Sequence, residues 1–320
     1  MARSPEITVI IPMFNEVEVI GAAMTRVAHE LESCGHSWEI LCVDDGSNDG
    51  GPALVAERSK EDRRFELIEL SRNFGKEGAI SAGLQAAAGA AVIVIDADLQ
   101  HPPELIPKMV EAWRGGAHLV EAVKTHRGKE PVLHRMAAKL FYALMGQATR
   151  RSSQGDADFK LLDRQVVDAI NELPERNRYF RGLVAWVGFR SVKVPFEVQG
   201  RAAGTAKWSL FDLIRYSLRN LIAFSSLPLR LVAWFGFVTV AFGGLLAVQT
   251  LVNYLMGNAV EGFTTAIVLN IILSGAILTC LGIVATYVAQ MYDEIKGRPT
   301  FVVIRRQTSE EEEPTENEGS

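Results

Sequence analysis

The 320-residue sequence has few cysteines and lacks two common glycine motifs for nucleotide binding. Its 3 cysteines, Cys34, Cys42 and Cys280, are far apart and form no C-x-x-C pair. Neither a thiolate zinc site nor a disulfide framework is therefore expected. The chain contains no G-x-x-x-x-G-K-[ST] and no G-x-G-x-x-G segment, which argues against a P-loop protein and a dinucleotide oxidoreductase. The opening residues, "MARSPEITVIIP", lack a long apolar run, so no signal peptide is expected.

Charge is absent from two long stretches in the last third of the chain. Residues 231–256 and 262–292 contain no Asp, Glu, Lys or Arg, and about 20 apolar residues suffice to cross a bilayer core. We therefore predict two transmembrane helices rather than two unusually long core helices. Basic residues such as Arg230 and Lys296 flank the pair, whereas the connection between the helices has none. This bias predicts that both ends of the pair are cytoplasmic. The high Ala and Gly content and the short external loop fit a bacterial inner-membrane protein.

Composition divides the chain into five predicted segments. These are an α/β domain at 1–200, an interfacial juxtamembrane region at 201–228, two transmembrane helices within 229–292, a cytoplasmic segment at 293–308 and a tail at 309–320. The tail holds six glutamates and no base, so it is expected to be disordered. Amphipathic patterns in "KWSLFDLIRYSLRNLIAF" and "LHRMAAKLFYALM" predict helices lying at the membrane interface, although the second also suits a helix packed on a sheet.

Short apolar runs alternate with helical patterns in the first 200 residues. "ITVIIP", "WEILCVDDG", "FELIEL" and "AAVIVIDAD" are predicted strands. In the first predicted helix, Ile20, Met24, Val27 and Leu31 recur at helical spacing and form one apolar face. Another helix is expected after "SRNFGKEG". The alternation predicts an α/β fold with a mostly parallel sheet covered by helices.

Polar residues follow three of the predicted strands. Asp96 and Asp98 follow "VIVI", Asp44–Asp45 ends "EILCV", and Asn15–Glu16 follows "IIPMF". Ligands of open parallel sheets bind beyond the carboxyl ends of the strands, and paired carboxylates suit Mg²⁺ or Mn²⁺. A lone D-x-D is also compatible with a solvated pair of acids. Three polar strand ends together favour a nucleotide diphosphate held through a divalent metal.

Several segments resemble successive motifs of the GT-A fold, family 2 glycosyltransferases. They are "VIIPMFNE", "VDDGSNDG", "SRNFGKEGAISAGLQAA" and "VIVIDADLQHPPELIP". With "GDADFKLLDR", "RNRYFRGLVAWVGF", "RAAGTAKWSL" and the two apolar helices, residues 6–306 resemble the polyprenyl-phosphate glycosyltransferase branch, which includes dolichyl-phosphate mannose synthase and bactoprenol glucosyltransferases. The resemblance implies transfer of a sugar, with inversion, from a nucleotide diphosphate to the phosphate of a membrane polyprenol such as undecaprenyl phosphate.

The resemblance also implies roles for individual residues. The residues implied to bind the donor nucleotide are Pro12, Asn15, Glu16, Asp44, Asp45 and Asp96, with Asp44 and Asp45 at the base or ribose. Those implied to lie at the metal are Asp96, Asp98 and Gln100. Those implied to bind phosphates of donor or acceptor are Lys124, Arg127, Arg135, Arg201 and Lys207. Asp98 is the expected direct ligand. Anchoring at the membrane surface is an alternative role for Arg201 and Lys207. Lys76 has no role assigned.

Asp158 in "GDADF" matches an acid often assigned as the catalytic base, with Asp156 as a neighbouring alternative. A phosphate acceptor is already anionic near neutral pH, so orientation of the acceptor or of a sugar hydroxyl is an alternative role for Asp158.

Other interpretations of the sequence remain open. UDP-glucose is the expected donor, and GDP-mannose and UDP-N-acetylglucosamine are alternatives. A processive polysaccharide synthase is disfavoured because two apolar helices offer little from which to build a translocation channel, and because the chain has no Q-x-x-R-W motif. A non-catalytic membrane scaffold is the third interpretation. Gly275, Ala276 and Gly282 in the second apolar helix suit either a homo-oligomer or close pairing of the two helices.

Overall fold

The structure is a computed structural model that describes residues 5–124, 156–176, 178–196, 227–256 and 262–307. These residues form two compact units, one comprising the chain up to residue 196 together with 299–307, and the other comprising 227–298. The predicted interfacial segments, the acidic tail, and Arg127, Arg135, Arg201 and Lys207 lie outside the described residues.

The first unit contains one sheet of eight strands. The strands are β1 (Ile7–Met13), β2 (Trp38–Asp44), β3 (Phe65–Leu70), β4 (Ala91–Val94), β5 (Leu119–Lys124), β6 (Asp156–Asp163), β7 (Ser191–Phe196) and β8 (Val303–Gln307). Their order across the sheet is β7-β5-β6-β4-β1-β2-β3-β8. Strands β4, β1, β2 and β3 run parallel to one another, whereas β6 is antiparallel to β4 and β5, and β8 is antiparallel to β3. The predicted α/β fold with a mostly parallel sheet is confirmed.

Besides a 3₁₀ helix at Pro103–Leu105, six α-helices accompany the sheet in the described part of the first unit. They are α1 (Ile20–Ser33), α2 (Gly51–Glu61), α3 (Lys76–Ala86), α4 (Ile106–Arg114), α5 (Arg164–Asn171) and α6 (Phe180–Val187). The predicted apolar face of α1 is buried, because Ile20, Met24, Val27 and Leu31 all pack into the core. Strands β1, β2 and β4 are buried almost throughout, which is typical of strands covered by helices on both faces.

Strand β8 was not predicted. It pairs with the outer edge of β3, where Arg306 bonds Glu66 at 3.1 Å and Arg305 lies 3.9 Å from Glu69. No apolar alternation distinguishes "VIRRQ", so a strand is recognisable only from its pairing. The chain that follows the second apolar helix therefore contributes to the sheet of the first unit.

The second unit consists of two long helices, α7 (Leu227–Leu255) and α8 (Phe263–Ile295). Residues 231–250 and 272–295 are long and apolar enough to cross a membrane. Large apolar side chains such as Trp234, Phe237 and Val240 are exposed, unlike those of a soluble core helix. A Cβ added at Gly275 or Gly282 would meet no described heavy atom within 4 Å, so these glycines are not points of close helix pairing within the described chain.

Candidate active site

A cleft of about 390 Å³ lies beyond the carboxyl ends of the central strands. It is lined by Pro12, Met13, Phe14 and Glu16 after β1, Asp45 after β2, Asn73, Gly75, Lys76 and Ala79 around the start of α3, and Asp96, Ala97 and Asp98 after β4. Because β4, β1 and β2 are adjacent and parallel, the polar residues at their ends meet at one edge of the sheet, as the sequence predicted. A cleft of this size can hold a small-molecule ligand.

Two of the predicted donor-binding residues hold the loops of the cleft. Asn15 has a left-handed backbone with φ of 54°, a conformation that asparagine tolerates. Its N–H donates to Ser47 Oγ, and its side-chain oxygen accepts the Asn48 N–H, both at 2.9 Å. The Ser47 N–H donates to both oxygens of buried Asp44, at 3.2 and 3.1 Å. Neither Asn15 nor Asp44 is among the residues that line the cleft, and their nucleotide contacts remain predictions.

Asp45 is fixed within the cleft by backbone donors. Its two oxygens accept the N–H groups of Phe74 and Gly75 at 2.7 and 2.8 Å. Burial raises the pKa of the Asp45 carboxyl, although these two hydrogen bonds oppose the rise. The neighbouring Gly46 has φ of 76°, and a Cβ there would lie 2.8 Å from the backbone of Arg72. Only glycine permits the two loops to approach this closely.

Three potential metal ligands converge after β4. Asp96, Asp98 and His101 each offer one ligand atom, and these atoms lie within 4.8 Å of one another. Leu99 has a left-handed φ of 56°, which turns the chain between Asp98 and His101. His101 is buried against the rings of Phe159 and Phe196, and its Nδ1 lies 3.8 Å from Asp96 Oδ2.

His101 was not among the predicted ligands. Gln100, which was predicted, donates its backbone N–H to Asp98 Oδ1 at 3.1 Å. Two carboxylates with one imidazole can hold a divalent cation such as Mg²⁺ or Mn²⁺. The residues present therefore fit the expected metal.

Strand β6 brings Asp158 to the same edge. Lys160 pairs with Val94 in the antiparallel register of β6 and β4. Continuing that register by two residues places Asp158 opposite Asp96, just beyond the end of β4. Lys124 is the last residue of β5, and its backbone pairs with Phe196 of β7.

Two cations hold Asp158. Lys76 Nζ lies 2.6 Å from Asp158 Oδ2 and also 2.6 Å from Asp96 Oδ1. Arg181 binds Asp158 from the other side, with Nε 2.5 Å from Oδ1 and Nη2 3.0 Å from Oδ2. Burial opposes ionisation of Asp158, but Lys76 and Arg181 outweigh it and hold the pKa of this carboxyl far below its ordinary value. Likewise, desolvation in the cleft opposes protonation of Lys76, but Asp96 and Asp158 outweigh it and raise the pKa of Lys76 above its ordinary value.

Glu77 binds the first residue of the helix that carries Arg181. Its Oε2 accepts the N–H of Phe180 at 2.8 Å, and Phe180 is the first residue of α6, which carries Arg181. A carboxylate at a helix N-terminus accepts from a backbone N–H that has no partner within the helix, and its negative charge interacts favourably with the helix dipole. Lys76, Glu77 and Arg181 had no predicted role, because their partners are distant in sequence, 82 residues away for the Lys76–Asp158 pair.

Burial raises the pKa of Glu77 to about 7, and the Phe180 hydrogen bond only partly offsets it. The folded protein therefore binds this proton more tightly than the unfolded chain, whose carboxyl has a pKa near 4.5. The resulting contribution to stability is complete below about pH 4.5 and is lost as the pH rises through about 7.

We expect Glu77→Gln to be more stable than the wild type at pH 8, by about 1–3 kcal/mol, and close to it at pH 5. Glutamine keeps an oxygen that accepts from Phe180 and avoids the buried charge. Thermal melting of both proteins at the two pH values checks this, with Glu57→Gln, at an exposed position of α2, as the control. An equal difference at both pH values would contradict the assignment.

Comparisons with known proteins identify the family of the chain. Residues 8–170 match the family model "Glycosyl transferase family 2". The bactoprenol glucosyl transferase of Shigella phage SfII is 34% identical over 93% of this chain and 97% of its own length. A prophage bactoprenol glucosyl transferase homolog of Escherichia coli is 33% identical over 94% of this chain and 99% of its own length. An uncharacterized glycosyltransferase of Synechocystis sp. is 37% identical over 93% of this chain and 94% of its own length.

The fold is also shared with a solved structure. Glucosyl-3-phosphoglycerate synthase from Mycobacterium tuberculosis, in complex with Mn²⁺, UDP and phosphoglyceric acid, is 19% identical and has a TM-score of 0.50. The match covers 68% of this chain and 76% of that one. This likeness supports the GT-A fold, and the family model together with the relatives of similar length shows that the chain belongs to glycosyltransferase family 2.

Proposed function

We propose that the protein is an inverting, metal-dependent glycosyltransferase that moves glucose from UDP-glucose to the phosphate of a membrane polyprenol such as undecaprenyl phosphate. The observation that carries the proposal is the convergence of Asp96, Asp98 and His101, of which the two acids line the cleft, beside a carboxylate held by two cations. The names of the phage and Escherichia coli relatives support the lipid acceptor and the glucosyl donor.

The chemistry of the cleft suits departure of a nucleoside diphosphate. A divalent cation, when bound, neutralises the charge that develops on the leaving diphosphate. Asp96, Asp98 and His101 would hold that cation. The part of the cleft proposed for the nucleoside is formed by Pro12, Met13, Phe14, Glu16 and Asp45. Lys76 and Arg181 add positive charge next to the place where the phosphates would lie.

The two apolar helices support an acceptor that resides in lipid. Helices α7 and α8 are long and apolar enough to span a membrane, and a polyprenyl chain stays in the bilayer while its phosphate lies at the interface. We propose the inner membrane of a bacterium as the location, with both termini in the cytoplasm. Lys124, Arg127, Arg135, Arg201 and Lys207 remain our proposed contacts for donor or acceptor phosphates. GDP-mannose remains the alternative donor, and a homo-oligomer remains a proposal.

A transfer assay tests this function directly. The full chain in detergent is mixed with undecaprenyl phosphate and with radiolabelled UDP-glucose, GDP-mannose or UDP-N-acetylglucosamine, with Mn²⁺, Mg²⁺ or EDTA. We expect label in the lipid phase from UDP-glucose, only with a metal, and none when the acceptor is undecaprenol without phosphate. If only GDP-mannose labels the lipid, GDP-mannose rather than UDP-glucose is the donor. Absence of labelling from every donor would favour the scaffold interpretation.

A further inference from the structure

Lys76 joins the candidate metal site to the Asp158 site. It is the first residue of α3 and follows Gly75, whose φ of 89° only glycine adopts readily. One ammonium group is shared between Asp96 and Asp158, at 2.6 Å from each. The Lys76 side chain is 41% exposed and lines the cleft, so its head group can leave either partner without crossing the core.

The two carboxylates depend on Lys76 to different degrees. Arg181 already binds both oxygens of Asp158, so that charge keeps a partner if Lys76 moves. Among the described residues, the only other ion-pair partner of Asp96 is His101, at the longer distance of 3.8 Å. Lys76 is therefore the principal cation for an acid that also belongs to the candidate metal site.

An ammonium and a divalent cation cannot both use Asp96 at close range. Lys76 Nζ contacts Oδ1 of Asp96 at hydrogen-bonding distance, and two cations within about 4 Å of each other repel strongly outside bulk water. Lysine carries its charge as a compact point on a flexible stem, which allows it to turn away while remaining near Asp158.

We propose that Lys76 is a resident counter-ion of Asp96 that competes with the divalent cation and releases Asp96 when the metal and the nucleotide bind. This inference rests on the proposed function, because it assigns the metal and a diphosphate to this cleft. Released from Asp96, Lys76 stays beside Asp158 and faces the cleft, where a diphosphate offers it a new anionic partner. Metal and nucleotide then bind cooperatively, because the diphosphate compensates the ion pair that the metal displaces.

Binding of Mn²⁺ alone tests the competition without any sugar transfer. The full chain in detergent is titrated with Mn²⁺, and free Mn²⁺ is followed by electron paramagnetic resonance. We expect Lys76→Met to bind Mn²⁺ roughly tenfold more tightly than the wild type, because the competing charge is gone. Lys76→Arg, which keeps the charge, should bind like the wild type. Lys60→Met is the matched control, because it removes the same charge from an exposed position of α2.

A second readout measures the coupling between metal and nucleotide. Adding UDP should tighten Mn²⁺ binding by a larger factor in the wild type than in Lys76→Met. Lys76→Gln, which removes the charge but keeps an N–H donor, gives the same comparison if the methionine variant does not fold. Unchanged or weaker Mn²⁺ binding in the folded neutral variant would overturn the proposal, as would failure of every variant to bind Mn²⁺.

These outcomes are separable from the proposed function. If Lys76→Met gains Mn²⁺ affinity while no donor labels lipid, the counter-ion role stands and the transferase assignment fails. If the wild type transfers glucose while neutralising Lys76 leaves Mn²⁺ affinity unchanged, the transferase assignment stands and the counter-ion role fails.

Discussion

Replacing Asp98 by asparagine is expected to lower the rate of sugar transfer by about three orders of magnitude at saturating donor and metal. Asp98 is one of the three potential metal ligands, and its Oδ1 accepts the Gln100 N–H at 3.1 Å. Asparagine keeps an oxygen for that hydrogen bond, so the turn after β4 survives while a negative charge at the metal is lost. The measurement is the initial rate of lipid labelling, together with the Mn²⁺ affinity of the variant.

The matched control for Asp98→Asn is Glu104→Gln. Glu104 lies six positions further along, and its half-exposed carboxylate pairs with Arg26 rather than with the cleft. We expect this control to transfer sugar within about twofold of the wild type, as is usual for surface changes. If Asp98→Asn retained most of the activity with unchanged Mn²⁺ affinity, Asp98 would not be a metal ligand, and the role would have to pass to Asp96 and His101.

The parts of the site that were predictable share a local signature. Apolar strands that run straight into acids mark the ends of β2 and β4 in the sequence itself. The parallel order of β4, β1 and β2 then brings those ends together without further information. For that reason Asp45, Asp96 and Asp98 were expected at one edge, and the cleft contains all three.

The residues that were missed depend on contacts between distant segments. In the sequence, Lys76 is an ordinary first residue of a predicted helix. Its role becomes apparent only in the fold, where β6 places Asp158 opposite Asp96. Glu77 contacts the start of α6, 103 residues away, and no periodicity indicates such a contact. His101 reaches the acids because Leu99 takes a left-handed conformation, which is rare for a branched side chain and was not predictable from its sequence neighbours.

The role of Asp158 separates two mechanisms, and replacing it by asparagine is the second large effect. We expect Asp158→Asn to reduce the turnover number by about 100-fold, because Lys76 and Arg181 lose the anion that positions them beside the diphosphate. Binding of Mn²⁺ should persist, because Asp96, Asp98 and His101 are intact. Asp168→Asn is the matched control, since Asp168 is exposed and pairs only with Arg164 on α5 among the described residues.

The pH dependence of turnover distinguishes positioning from general-base catalysis. A general base works best when its pKa is near the working pH, whereas Lys76 and Arg181 outweigh burial and hold the pKa of Asp158 far below that range. Because the carboxylate is ionised both at pH 6 and at pH 8, its ionisation should add no slope to the rate profile between them. The profile of Asp158→Asn should then be parallel to that of the wild type and lower throughout. A wild-type rate that rises tenfold per pH unit in this window, with the rise lost in the variant, would instead make Asp158 the base.

Because the acceptor phosphate is already an anion near neutral pH, the mechanism requires a positioned nucleophile and a stabilised leaving group, and two cations organised by Asp158 supply positive charge for both.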